Sequence, residues 1–182
     1  MRDAGIEIIG EVPWGTHFCH FYQTQQDLRD TVIPFLKAGL EHNEQCLWIV
    51  AQELSREELE ELRRSIPGFE DYLDAGAIEF PIYSEAFLES DAFDPKQVIR
   101  KWQNMAEKAV DRGFAGLRIA ADVAWVGKDH WEAFSELEQG IDRVIAEYPM
   151  ILMCAYPLET IQAKAIFDVS LTHRFITARQ RG

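Results

Sequence analysis

The chain has 182 residues, 47% of them hydrophobic, enough to build one domain around a substantial core. Its 31 acidic residues against 18 lysines and arginines give a net charge of -13, which repels phosphate backbones and argues against direct nucleic-acid binding. No stretch reaches the ~18 apolar residues of a membrane span, and Met1 to Gly10 carries a single basic residue, Arg2, so neither an anchor nor a signal peptide is expected.

The first predicted strand is Thr16 to Tyr22. Thr24 and Asp27 form a capping pair for a helix whose apolar face is Leu28, Val32, Phe35, Leu36 and Leu40. Pro34 lies inside that helix and is expected to kink it. Cys46 to Ala51 (CLWIVA) is a continuous apolar run, the pattern of a strand buried on both faces. Ser55 and Glu58 make a capping box for a helix reaching about Arg64, broken by Gly68, and Ala77 to Pro81 is a shorter third strand. Asp94, Pro95 and Gln97 supply a cap, a proline at the first helical position and a capping-box partner. Val98, Trp102, Met105 and Ala109 line that helix, Gly113 ends it, and Leu117 to Ala121 is the fourth strand. Asp129 with Glu132 caps the next helix, with Phe134, Leu137, Ile141 and Val144 on one face. Met150 to Ala155 is the fifth strand, followed by a helix around Ile161 to Leu171 and a short extended piece, Phe175 to Thr177. Arg174, Arg179 and Arg181 read as a solvated tail.

Strands alternating with helices of this length imply right-handed crossovers. The expected fold is α/β: three layers, a mostly parallel sheet and helices on both faces, as a single domain over residues 1–182. Ligands in such sheets bind beyond the carboxyl ends of the strands. That directs attention to Tyr22, Ala51 to Glu53, Pro81 to Tyr83, Asp122 to Trp125, and Cys154 to Pro157.

The loop after the first strand, residues 23–27, has no glycine to let its backbone approach phosphates and no lysine to neutralise them. No phosphate-loop or dinucleotide motif occurs elsewhere, so no nucleotide cofactor is expected. On the first strand His17, Cys19 and Phe21 point one way, and Phe18, His20 and Tyr22 the other. His17 with Cys19 offers ligands to a transition metal, but no second pair of ligands completes a tetrahedron; buried thiol and hydrogen-bonded imidazole is the plainer reading. Asp122 is placed either to hold Mg²⁺ or to cap a loop, and Trp125 reads as a pocket wall or a core residue. Tyr156, before Pro157, is held extended, and with Cys154 it suits either a site or the core. A cysteine nucleophile, Cys19 or Cys154, would need a base and an orienting acid at diagnostic spacing; none is found, and an enzyme is not expected. Cys19, Cys46 and Cys154 are an odd set, far apart in sequence, and free thiols in a cytoplasmic location are the expectation.

The run Gly15 to Tyr22 (GTHFCHFY) resembles the opening signature of the MEDS domain, the sensory domain of DcmR-type regulators of methylotrophs and of methanogen signalling proteins. Gly39-Leu40 before Asn43-Glu44-Gln45-Cys46 is similar to its turn into the second strand. Gly116-Leu-Arg118-Ile through Asp122 and Trp125 resembles its fourth-strand block. Tyr148-Pro149 with Leu152-Met-Cys154-Ala-Tyr156 resembles its fifth-strand block, and Thr172-His173 a common terminal pair. The likeness spans about Gly15 to His173, with Asn43 standing where many members have glycine and Asp122-Val-Ala differing from a frequent Glu-Met variant. It implies a RecA- and KaiC-like fold with a degenerate nucleotide site, and a role in sensing simple hydrocarbon derivatives, with links to transcription regulation. Such domains are usually fused to an output module, so a stand-alone sensor or an excised domain is expected. In that fold the first strand would lie between the fourth and fifth. The expected pocket then has Tyr22, Trp125 and Tyr156 as walls, His17 and Cys19 as floor, and Asp122 and Cys154 adjoining, suited to a small, weakly polar ligand. Alternatives are a metal or redox sensor using His17, Cys19 and Cys154, and a degenerate ATPase-like scaffold acting only through protein contacts. Expected partners are a small-molecule ligand and an output protein or fused module, with no membrane and a homodimer left open.

Overall fold

The computed structural model describes residues 1–89, 92–127, 130–161 and 163–178. In chain order the elements begin with β1 (Arg2–Asp3), β2 (Glu11–Val12), β3 (Thr16–Tyr22), α1 (Gln25–Glu41), β4 (Gln45–Ile49), α2 (Arg56–Ser65), α3 (Phe69–Asp74) and β5 (Ile78–Glu79). They continue with α4 (Tyr83–Phe87), β6 (Leu88–Glu89), β7 (Ala92–Phe93), α5 (Pro95–Asp111), β8 (Leu117–Asp122), α6 (Trp131–Val144), β9 (Met150–Pro157), α7 (Ala163–Thr172) and β10 (Phe175–Ala178).

Six strands form one parallel sheet in the order β10-β3-β9-β8-β4-β5. β3 and β4 are buried at every position, and β9 at all but its last, which is why these strands read as unbroken apolar runs. The expected strand order is corrected: β9, not β3, is the middle strand of the trio β3-β9-β8. The last strand of the chain, β10, occupies the other edge of β3, so β3 meets only β9 on its inner side.

Two apolar layers flank the sheet. One joins Cys19, Phe21, Ile119, Leu152, Cys154 and Tyr156 to the inner faces of α4, α5 and α6. The other joins Phe18, Tyr22, Cys46, Trp48, Ile151 and Met153 to α1, α2 and α3. The helix starts follow their local chemistry. Thr24 and Asp27 cap α1 reciprocally, Ser55 and Glu58 do so for α2, and Asp94 accepts from the amides of Lys96 and Gln97 at α5. α1 continues through Pro34 to Glu41. The expected Asp129 cap, Arg179 and Arg181 lie outside the described residues; α6 itself begins at Trp131.

Beneath α1, Arg118 is completely buried. Its Nε meets Glu44 Oε2 at 2.6 Å, its Nη groups donate to the carbonyls of Phe35 and Asp3, both at 2.8 Å, and its guanidinium lies over the Phe35 ring. Arg2 reaches the other Glu44 oxygen at 2.7 Å, tying the β1–β2 ribbon down. Glycine is required at 39, where a Cβ would stand 2.7 Å from both Arg118 Cδ and Cys46 Sγ. Among the described residues no helix is long and apolar enough to cross a membrane.

Candidate functional site

Side-chain alternation on β3 sends His17 into the layer beneath α6, and the register Cys19↔Cys154 sets β9 alongside it. Cys154 Sγ lies 3.6 Å from His17 Nε2. From above, α6 lowers Glu138 onto the same spot: its Oε2 is 3.3 Å from His17 Nε2 and 2.8 Å from His173 Nε2. His173 follows the last residue of α7, and its ring centroid is 4.1 Å from that of His17. All four residues are buried, and their candidate ligand atoms lie within 4.8 Å of one another.

Burial works against charge on each group, and the neighbours decide the outcome. Burial raises the Glu138 pKa, but the two imidazoles outweigh it and hold the carboxylate ionised, well below its usual range. Burial also opposes a charged His173. The Glu138 carboxylate, with the Val169 carbonyl 2.7 Å from Nδ1, overcomes this and raises its pKa. For His17 burial prevails over the pull of Glu138, its pKa falls, and the ring is neutral. Burial, reinforced by Glu138, pushes the Cys19 thiol up to about 12 and raises the Cys154 thiol and the Tyr156 hydroxyl well above their ordinary values. The surroundings thus favour the charged forms of Glu138 and His173 and the neutral forms of His17 and Cys154. Neither cysteine has the lowered pKa of a reactive thiolate.

An aromatic path leads away from this cluster. Tyr156 stands edge-on to His173 at 6.0 Å, Phe134 is 6.4 Å from Tyr156, and Trp125 is 6.1 Å from Phe134. Trp125 is half-buried in a box made by Tyr83, stacked at 5.1 Å, with Phe87 and Phe93. Among the described residues, the buried Trp125 Nε1 and His17 Nδ1 have no hydrogen-bond partner.

Two of the expected pocket residues are elsewhere. Tyr22 and Asp122 point into the opposite layer, where Tyr22 donates to Asp122 Oδ1 at 2.9 Å and the Ala124 amide donates to the same oxygen at 3.0 Å. Burial raises the Asp122 pKa, partly offset by those two donors. The sheet separates this pair from His17, Cys19, Trp125, Cys154 and Tyr156, so the seven residues do not line one cavity. Cys19 shares the cluster's layer but does not join its donor set; Glu138 and His173 take the place that sequence reasoning gave it. Glu138 had a signal. It lies four residues after Phe134 and three before Ile141, within the apolar face of α6, where an acid needs a buried partner.

A nucleotide, which this type of fold can hold after its first central strand, does not fit the residues found there. Asp27 covers the first turn of α1, accepting from the Thr24 amide at 3.0 Å and from its hydroxyl at 2.7 Å. A phosphate at that helix end would meet the Asp27 carboxylate.

Comparison with solved structures defines the class. The flagellar accessory protein FlaH from Methanocaldococcus jannaschii aligns with a TM-score of 0.59 and 11% identity, over 93% of this chain and 73% of that one. A KaiC-like protein from Pyrococcus horikoshii OT3 aligns with a TM-score of 0.61 and 15% identity, over 98% and 80%. The fold is thus that of the KaiC-like, RecA-type α/β proteins. Within that class the family model for MEDS, the MEthanogen/methylotroph, DcmR Sensory domain, matches residues 16–174, and the chain belongs to this family. The transcriptional repressor DcmR of Methylorubrum extorquens (strain DSM 6343 / CIP 106787 / DM4) is 21% identical over 174 residues, 93% of this chain. The match spans 63% of that repressor's length. Every residue of the cluster and of the aromatic path falls inside the family match.

Proposed function

We propose that this sensory domain receives a small, weakly polar organic molecule in the layer between the Trp125 box and the Glu138 cluster, and passes the signal on through protein contacts. The observation that carries the reading is the aromatic path from Trp125 to His173, ending on a buried ion pair. Apolar rings supply contact area, while Trp125 Nε1 and His17 Nδ1 are polar groups still able to bond a guest. Kinship with DcmR supports an output in transcription regulation. With a net charge of -13 the domain suits contact with a DNA-binding module better than contact with DNA. The Asp27 carboxylate at the α1 start supports a signalling domain without nucleotide chemistry.

Tryptophan quenching and thermal midpoints, measured with short-chain alcohols, amines and halogenated hydrocarbons, test this. Trp125→Ala is expected to abolish ligand-induced quenching and to destabilise the fold less than Trp48→Ala. The latter empties a fully packed core position and should cost about 3–5 kcal/mol. Equal destabilisation by both changes, or normal quenching in Trp125→Ala, would show that the ligand does not use this box.

A further inference from the structure

The pairing of Glu138 with His173 accounts for only two of the four buried groups. An ion pair has no need of a second imidazole 3.3 Å from the same oxygen, nor of a thiol 3.6 Å from that imidazole. Two imidazole nitrogens, one carboxylate and one thiol are a borderline set of donors. It suits zinc, cobalt or iron in the divalent state and is wrong for magnesium or calcium, which take oxygen.

The spacing agrees. Metal–nitrogen and metal–oxygen bonds of about 2.0–2.1 Å with a metal–sulfur bond of about 2.3 Å give tetrahedral edges of roughly 3.3–3.6 Å. The Glu138–His17 and His17–Cys154 separations, 3.3 and 3.6 Å, are already such edges. The 2.8 Å contact of Glu138 with His173 would need to open by only about half an ångström to match. His173 is also oriented as a ligand should be: Nδ1 is engaged by the Val169 carbonyl at 2.7 Å, leaving Nε2 to face the cluster.

We propose that His17 Nε2, His173 Nε2, Glu138 and Cys154 Sγ form a tetrahedral site for one divalent transition-metal ion of the zinc or cobalt type. Ligation needs Cys154 as thiolate and His173 Nε2 free of a proton, so protons held on these atoms pass to solvent as the ion enters. Carboxylate and thiolate then balance the ion, leaving no net charge in the buried layer. This deepens the sensory reading, on which it rests, by naming what the polar end of the site holds.

The test is an anaerobic titration of reduced, metal-free protein with Co²⁺. One equivalent should produce the intense visible bands of tetrahedral cobalt and a near-ultraviolet thiolate-to-cobalt charge-transfer band. Cys154→Ser should lose the charge-transfer band, and Cys19→Ser should keep it. Glu138→Gln and His173→Gln should weaken binding by more than the about 10–100-fold typical of losing an outer partner. A folded wild-type chain that develops no tetrahedral spectrum overturns the proposal, as does a charge-transfer band unchanged in Cys154→Ser. Should Cys154→Ser fail to fold, the charge-transfer band of the wild-type chain and its persistence in Cys19→Ser decide. Quenching of Trp125 by an organic ligand in a chain that takes no cobalt removes the metal and leaves the small-molecule reading standing. A cobalt site without any such quenching does the reverse.

Discussion

A carboxylate within an apolar layer is costly unless its charge is met, and two of the buried acids, Glu44 and Glu138, are met by different means. Glu44 is held between two guanidinium groups, Arg118 and Arg2, whereas Glu138 is held between two imidazoles. The first arrangement fixes structure; the second leaves a group whose state a ligand can change. Glu44→Gln should therefore be expensive. It strands the Arg118 guanidinium in the core, and a loss of about 3–5 kcal/mol in urea unfolding is expected. A loss near zero would mean that the Phe35 and Asp3 carbonyls suffice for Arg118. Both residues stand in sequence blocks shared with the family, yet nothing local could pair side chains 74 positions apart. Likewise His173 was visible as a terminal residue of the resemblance, but not as a partner of Glu138.

The elements whose boundaries were legible are those fixed by chemistry within one turn of chain. Thr24 with Asp27, Ser55 with Glu58, and Asp94 before Pro95 each set a helix start, and apolar runs delimited β3, β4, β8 and β9 to within a few residues. Short α3, α4 and the β6–β7 ribbon carry too few residues for a periodicity and were missed. The α1 start bears most directly on function. Because the Asp27 carboxylate stands at the helix end that would otherwise receive phosphate, calorimetry with ATP and Mg²⁺ should detect no micromolar binding; a micromolar dissociation constant would mean that the cap gives way to nucleotide.

At the scale of the whole molecule, alternation along β3 correctly assigned faces, but strand order is a long-range property decided by which chain segment covers each edge. The expected pocket nevertheless joined Tyr22 to His17 and Cys19 across the two faces that alternation separates, and added Asp122 from the Tyr22 side. The actual order gives the end of the chain a particular part. His173 is followed at once by Arg174, whose amide donates to the His17 carbonyl at 3.0 Å, and then by β10, paired with β3 from Phe175↔Phe18 onward. By linkage, anything bound through His173 favours only those conformations in which this junction is docked. At a concentration of 100 times its dissociation constant it contributes about 2.7 kcal/mol to them. Hydrogen exchange should accordingly slow at the amides of β10 by up to about 100-fold on saturation with such a ligand, with α2 and α3 little changed. Uniform slowing across the chain would indicate that β10 has no opening of its own. Occupancy of a buried site would then be readable from outside as the stiffness of the sheet's outermost strand.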